Sequence, residues 1–598
     1  MAYIPLTNKK LEAKNSSIYR YTVPTGGVKI SDNGISTDGK CSILCNMDVS
    51  DGILKTRPCQ KILCENPSIQ GTLYSITKNT FCDRIIMHIG QSLYAFNPED
   101  NTISEISSTL PDEKSLICAF MSKLYIYSAM RVFSLDEELK LVEEEPDAPL
   151  LFDGIGTSNS ASKKRLDVPI NLVAPRIAAR YTSGFSIPVN SSGYYIHLPY
   201  DMDLSREVRV YADGEEIDKS LLKFEDVSYV RVASGSNLDA CKEVVVKYYV
   251  QNLSDIGFEY DIGKCSIAEP FGGNTMSGTR IFFTGNQEKK GYYFKSDLQN
   301  PLNVSSDDIE IIGDGCENVT AVIRMYSYLI IFTEKSVYRM SYSLENDGAF
   351  FGIRQIGIGV GCDCPDSVAL IDNRAVFANS SKGIFIVDPD GDTDEHNIKP
   401  ISGNVNADFL DNDKDVLEKS CGIDFDRKYM LFAGNKAYIW DYDNSTFYDS
   451  GNYQKSQERL IWYMYDGLVS DMYFGSGNKL VSLDRTNFVF YGFDREGTYN
   501  VSSHIRSGKI NFGDPKNRKF VTSMELDIKT TAEADVTVTG FADGIKAFEK
   551  HLSLYNGNKD RHSIRLPKIK LYDFDFEVSG SEGFEMGDVF IEYTRLKK

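Results

Sequence analysis

One feature constrains the fold of this chain more than any other. An apolar run of about four residues, a short polar turn and a second apolar run recur along most of its length. The first copy is Ile85–Ile89, a turn at Gly90–Ser92, then Leu93–Phe96. Further copies begin at Leu124, Ile281, Leu329, Ala375, Met430 and Met472. Successive starts lie 39, 157, 48, 46, 55 and 42 residues apart. Five of these six spacings fall near the ~40–50 residue period of propeller blades. The sixth leaves room for one blade plus an insertion of about 110 residues, the size of a small domain. The strands are continuously apolar, which predicts hairpins buried on both faces. Such a hairpin is marginal alone and must stack on neighbours, and radial stacking leaves only short edges. Serial β-sandwiches would instead show cleaner alternation along each strand.

The expected architecture is therefore all-β: a β-propeller of about seven blades with an inserted β-domain and a C-terminal β-sandwich. The expected segments are an N-terminal docking segment at 1–58, a first propeller part at 59–150 and an inserted β-domain at 151–265. A second propeller part follows at 266–499, and the sandwich at 500–598. Inside the insertion, Glu207–Ala212 and Glu215–Ile217 flank Asp213-Gly214, a strong hairpin signal. Near the C-terminus Phe574, Phe576 and Val578 alternate with Asp573, Asp575 and Glu577, as a half-exposed antiparallel sheet requires. Helix is expected at most as one short turn over Asp413–Ser420.

Composition narrows the function. The 598 residues carry a net charge of −20, with 35 Tyr and 33 Phe against 2 Trp. Tyr and Phe suit pleated, half-buried surfaces. The acidic balance argues against a nucleic-acid-binding surface, which needs clustered Lys and Arg. No apolar run approaches the ~20 residues of a membrane helix, and Met1–Asn15 has no apolar core of a secretory signal, so membrane insertion is not expected.

Chemical motifs are sparse. The 12 cysteines predict reduced thiols. Cys41, Cys45, Cys59 and Cys64 only loosely resemble a zinc ribbon, lacking its tight knuckles, and are better read as small apolar residues. Cys362 and Cys364 are expected to be packing residues. Asp388, Asp390, Asp392 and Asp394 alternate, as do Asp411, Asp413 and Asp415. Neither series has the Gly and Glu of an EF-hand loop, and solvated turns are the better reading. The six histidines, His88, His197, His396, His504, His551 and His562, form no short metal-binding pair. No nucleophile elbow or phosphate loop is present. No catalytic, cofactor-binding or metal-binding residue is predicted.

One stretch goes beyond a generic propeller. It runs Gly278-Thr279-Arg280-Ile281-Phe282-Phe283-Thr284-Gly285-Asn286, then Gly291-Tyr292-Tyr293-Phe294-Lys295-Ser296 through Asn300-Pro301. Asn318–Ile323 and Tyr328–Tyr338 follow. This pattern, with Ser380–Phe385 and Gly508–Lys519, resembles the tail hub or nozzle proteins, also called stabilization proteins, of short-tailed bacteriophages. The resemblance is spread thinly over most of the chain and rests mainly on packing residues. It implies a structural virion protein of the tail, assembled in the host bacterial cytoplasm, and not an enzyme. Several copies, a hexamer being favoured, would form a ring below the portal and adaptor proteins and meet tail fibre or spike proteins. That ring would extend the genome's exit channel, seal packaged DNA and pass it during ejection without sequence-specific binding. An acidic wall would let phosphates slide past, although −20 also serves solubility alone. Two other functions fit a propeller: a host-surface or carbohydrate-binding module of a tail fibre or adhesin, and a glycoside hydrolase working through two carboxylates about 5–10 Å apart.

Overall fold

The computed structural model describes residues 16–22, 26–30, 40–50, 52–79, 81–182, 193–236, 238–273, 279–345, 348–388, 397–445, 460–494, 501–530, 533–555 and 560–596. It divides into two compact units, Asn66–Asp363 on the one hand and Met1–Glu65 with Cys364–Lys598 on the other. Among the described residues no helix is long and apolar enough to cross a membrane.

The chain is a β-propeller. All seven hairpins of the sequence pattern form; six lie in consecutive four-strand meanders, and the seventh lies in a four-stranded sheet completed by an upstream strand. Four of these blades belong to the Asn66–Asp363 unit. Blade 1 is Leu73–Asn79, Arg84–Ile89, Ser92–Asn97 and Thr102–Ser107, and blade 2 runs from Ser115–Phe120 to Leu141–Glu144. Blade 3 runs from Ile267–Phe271 to Ile309–Ile311, and blade 4 from Val319–Met325 to Gly348–Ile358. The first strands of blades 1, 2, 3 and 4 touch one another in that order, the radial arrangement expected of innermost strands. Continuous apolarity follows from burial on both faces: in Arg84–Ile89 every residue after Arg84 is buried.

The insertion between blades 2 and 3 is built on a six-stranded sheet that includes Leu150–Ile155, Arg176–Tyr181, Arg209–Ala212 and Val244–Tyr249. A three-stranded sheet, Tyr194–His197, Tyr229–Val232 and Leu222–Asp226, accompanies it. Asp213 and Gly214 take φ of 45° and 87°, the left-handed pair that a two-residue hairpin turn needs. The insertion shares one apolar core with its neighbours. Ile177, Val210, Val246 and Tyr248 join Leu116 and Phe120 of blade 2 and Ile281 and Phe283 of blade 3. Buried Asn171 locks the junction. Its Nδ2 donates to the carbonyls of Asp147 and Leu302 at 3.0 and 2.8 Å. Its Oδ1 accepts from the amides of Val173 and Val304 at 3.1 and 3.0 Å.

The other unit holds blades 5, 6 and 7, which begin at Ala369–Ile371, Cys421–Phe425 and Met472–Ser476. Their first strands also touch in order. In blades 1 to 6 the hairpin seen in sequence is the central strand pair. In blade 7 it is the first two strands, and the fourth comes from far upstream: Cys59–Glu65 pairs antiparallel with Val489–Asp494. The sequence pattern was thus one strand out of phase at its last copy, because the missing strand lies at the other end of the array.

The C-terminal sandwich has strands of both chain ends. One sheet pairs Lys519–Lys529 and Glu585–Arg595 with Asp560–Leu571, Ile53–Thr56 and Ser17–Tyr21. The other contains Ser503–Ser507, Phe574–Gly580, Ala534–Ala542 and Ile545–Leu554, and Cys41–Cys45 links it to blade 6. Strand Lys519–Lys529 alternates buried and half-buried positions, as one wetted face demands. The 1–58 segment, expected as a docking element, therefore has its described strands paired inside these sheets. A buried polar knot ties it in. Arg57 Nε donates to Asn46 Oδ1 at 2.7 Å, Arg57 Nη2 to the Asp466 carbonyl at 2.8 Å, and Asn46 Nδ2 to the Ser502 carbonyl at 2.8 Å. Short helices form at Asn406–Leu410 and Lys414–Glu418, the second inside the span expected to turn.

Candidate functional site

Polar residues of the stretch from Thr279 to Pro301 are held within the fold. Arg280 Nη1 donates to the Ser296 carbonyl at 2.8 Å, and Ser296 Oγ accepts from the Ile281 amide at 2.9 Å, bracing the hairpin of blade 3. Asn286 is buried; its Oδ1 accepts from the amides of Glu288 and Lys289, and its Nδ2 donates to Asp261. Lys289 Nζ reaches the same buried Asp261 at 2.6 Å. Asn300 Nδ2 donates to Asp147 Oδ2 at 2.6 Å, and the Pro301 carbonyl accepts from buried Tyr127 OH at 2.9 Å. These contacts seat blade 3 on blade 2 and on the insertion. Chemically they build a rigid junction, because every bond fixes a turn or a strand end. Gly278, the first residue of the stretch, lies outside the described residues.

The candidate metal residues do not gather. Among the described residues no three His, Cys, Asp or Glu side chains are placed to hold a metal ion. Cys41 is fully buried against Tyr21 OH, and burial pushes its thiol up to about 12; Cys45 is pushed up to about 11. Cys362 and Cys364 are fully buried packing residues. Asp388 pairs with Lys399 Nζ at 3.0 Å, while Asp390, Asp392 and Asp394 lie outside the described residues, as does His396. Of the second acidic series, Asp411 follows one short helix and Asp413 precedes the next; it is Asp408 that holds Lys436 and Tyr438.

Two groups missed by sequence reasoning have shifted acidities. Glu269, on the innermost strand of blade 3, is pushed up to about 7 by burial, against the pull of Arg324 on the first strand of blade 4. Cys118, on the first strand of blade 2, senses the same carboxyl. A carboxyl that titrates near neutrality is a candidate acid; the charges that couple to it are the Arg324 guanidinium and the Cys118 thiol. No periodic signal marks Glu269, because it sits mid-strand among apolar neighbours. His88 is completely buried in blade 1, with Nδ1 2.8 Å from Ser115 Oγ, and burial lowers its pKa.

The cavities are modest. One of about 430 Å³ lies between blades 6 and 7 and the N-terminal strands, walled by Phe425, Met430, Leu480 and Phe493. Buried Asp48 lies at its lining and accepts from Tyr465 OH. This volume is near the lower end of small-molecule sites.

No protein-family model matches the chain, and no curated protein matches its sequence. Similar solved structures include BamB from Moraxella catarrhalis, 7% identical over 74% of this chain and 98% of that one, with a TM-score of 0.32. Kluyveromyces lactis Hsv2 is 9% identical over 66% and 97%, with a TM-score of 0.24. An exo-β-1,3-galactanase from Phanerochaete chrysosporium is 8% identical over 85% and 100%, with a TM-score of 0.20. None is similar enough to transfer a function.

Proposed function

We propose that the chain is a structural virion protein, a tail hub or nozzle subunit of a short-tailed bacteriophage. In this reading several copies, six being favoured, form a ring that continues the portal and adaptor channel, holds packaged DNA and lets it leave. The observation that carries the reading is the sequence stretch from Arg280 to Tyr338, which resembles that family and makes up most of two adjacent blades. Its polar residues brace turns and junctions, as suits a scaffold that works by shape. The net charge of −20 fits a wall past which phosphates slide. Tail fibre or spike proteins would attach outside, and no turnover is assigned to the chain.

Mass measurement and electron microscopy of the purified protein, alone and with a portal–adaptor assembly, test this. A closed ring, or binding to the adaptor ring, is the expected result. A monomer that binds glycans and ignores the adaptor would replace the hub with a surface-binding module. Glycan turnover lost on substitution of a single carboxylate would replace it with a hydrolase.

A further inference from the structure

The cavity of about 430 Å³ between blades 6 and 7 is built by distant stretches of chain that all belong to one compact unit. Buried Asp48, on the strand Met47–Ser50, forms its floor. Two hairpin turns bracket its mouth, Asp426-Arg427 of blade 6 and Gly477-Asn478 of blade 7, and there Asp426 and Asn478 are exposed. The volume lies within the ~300–1,000 Å³ range of clefts that hold small ligands.

The floor is short of a donor. Asp48 is 4% exposed, and one of its carboxylate oxygens accepts from Tyr465 OH. Among the described residues no donor occupies the other oxygen. A carboxylate oxygen this deep is costly to leave without a hydrogen. Arg57 does not supply one. Its guanidinium lies over the Tyr465 ring at 5.5 Å and interacts electrostatically with Asp48. Its three nitrogens, however, donate to Asn46 Oδ1 and to the carbonyls of Pro58 and Asp466, at 2.7, 2.9 and 2.8 Å. Arg57 therefore balances the charge of Asp48 from behind and leaves the oxygen for a donor inside the cavity.

The lining selects the class of ligand. Asp48 and Asp426 are negative, Lys428 and, behind the floor, Arg57 are positive, so two charges of each sign cancel and favour a neutral molecule. The floor offers an acceptor, while the mouth offers an acceptor in Asp426 and donors in Lys428 and Asn478. A ligand edged with hydroxyls meets both demands, because each hydroxyl donates and accepts. The walls add a second demand. Phe425 and Phe493 are only partly buried and line the space, which calls for a body with an apolar face to lie on a ring. A pyranose has both features, hydroxyls around its rim and C–H groups on its faces.

We propose that this cavity binds a neutral pyranose, with hydroxyls on Asp48 and Asn478 and a C–H face against the phenylalanine walls. The site lies within one subunit, so it stands or falls separately from the ring. The test is calorimetry and saturation-transfer NMR of the full-length protein with the methyl glycosides of glucose, galactose, mannose and N-acetylglucosamine, and with glucosamine and glucuronate as charged controls. At least one neutral glycoside should bind at one site per chain, more tightly than either control. A trisaccharide ending in that sugar separates the sources: a glycan end binds at least as tightly, whereas a site for free sugar shuts the extension out. Asp48→Asn should weaken binding at least about tenfold, and Asn478→Ala, on the exposed turn, about threefold. Trp440 and Trp462 lie in the same compact unit, so their emission in urea shows whether each variant is folded. No saturable binding tighter than about 10 mM by any neutral glycoside would overturn the proposal. So would preference for a charged sugar, or parent-like binding by either folded variant.

Discussion

Asn171 offers the most selective test of the fold. Replacing it with Ala removes four hydrogen bonds from a side chain that is 1% exposed. The Leu302 carbonyl keeps a donor, the Asp147 amide at 3.1 Å. The amides of Val173 and Val304 and the carbonyl of Asp147 lose the partner that Asn171 gives them. Each buried polar group left unsatisfied costs about 1–3 kcal/mol. Water entering the vacated space recovers part of that, so a net loss of about 3–4 kcal/mol is expected. That is a large fraction of a domain's ~5–15 kcal/mol. The loss is local. Both tryptophans, Trp440 and Trp462, lie in the other compact unit, so their emission follows the wrong part of the molecule. The informative assay is hydrogen exchange by mass spectrometry. Peptides covering 147–178 and 300–306 should exchange on the order of a hundredfold faster, while the urea midpoint of tryptophan emission stays put. Asn171→Asp should be at least as damaging near neutral pH, because it turns a carboxylate toward the carbonyls of Asp147 and Leu302. A stability change within about 0.5 kcal/mol and unchanged exchange for Asn171→Ala would show that the insertion is not latched in this way.

Three further outcomes follow from the geometry. His88 has a pKa lowered by burial, so the folded state favours its neutral form, and stability should fall as pH drops below the ordinary histidine value of about 6.5; thermal melts of His88→Phe should lose part of this acid sensitivity. Glu269 is shifted the other way, so its contribution is present below the usual glutamate range and is lost as pH rises toward about 7; Glu269→Gln should therefore gain stability relative to the parent at pH 8 but not at pH 4, read as the difference in urea midpoints. Gly27 has φ of +71°, and a Cβ there would lie 2.5 Å from the Trp462 carbonyl oxygen, so Gly27→Ala should cost at least about 1–3 kcal/mol and shift tryptophan emission; an unchanged urea midpoint would show that the 26–30 segment is not seated against blade 6.

The blades were legible because burial on both faces leaves a local mark. Ala375–Ala378 and Ile384–Val387 are apolar at every position, and that run survives in the sequence whatever the surroundings. Not every innermost strand left such a mark: Ile267–Phe271 contains Glu269 and Pro270, half-buried, and reads as a linker. Partners far apart in the chain are invisible for another reason. Nothing in the mixed pattern of Cys59–Glu65 says that it completes a sheet beside Val489–Asp494. Arg57 and Asn46 look like solvent-facing loop residues, and only the tertiary structure shows them exchanging a buried hydrogen bond. For the candidate site, residue types showed that Arg280, Asn286 and Ser296 formed a pattern; their turn-bracing work needed coordinates. Glu269 had no sequence signature, since its acidity depends on which strands crowd it.

The borrowed strand of blade 7 sets a rule for synthesis. Residues 59–65 leave the ribosome early and find their partner only when residue 494 has been made; the strand at 17–21 waits for residue 593. Neither the last blade nor the sandwich can finish on a prematurely terminated chain. Truncated products keep open sheet edges and should be caught by aggregation or proteolysis, so that only whole chains persist in the folded state.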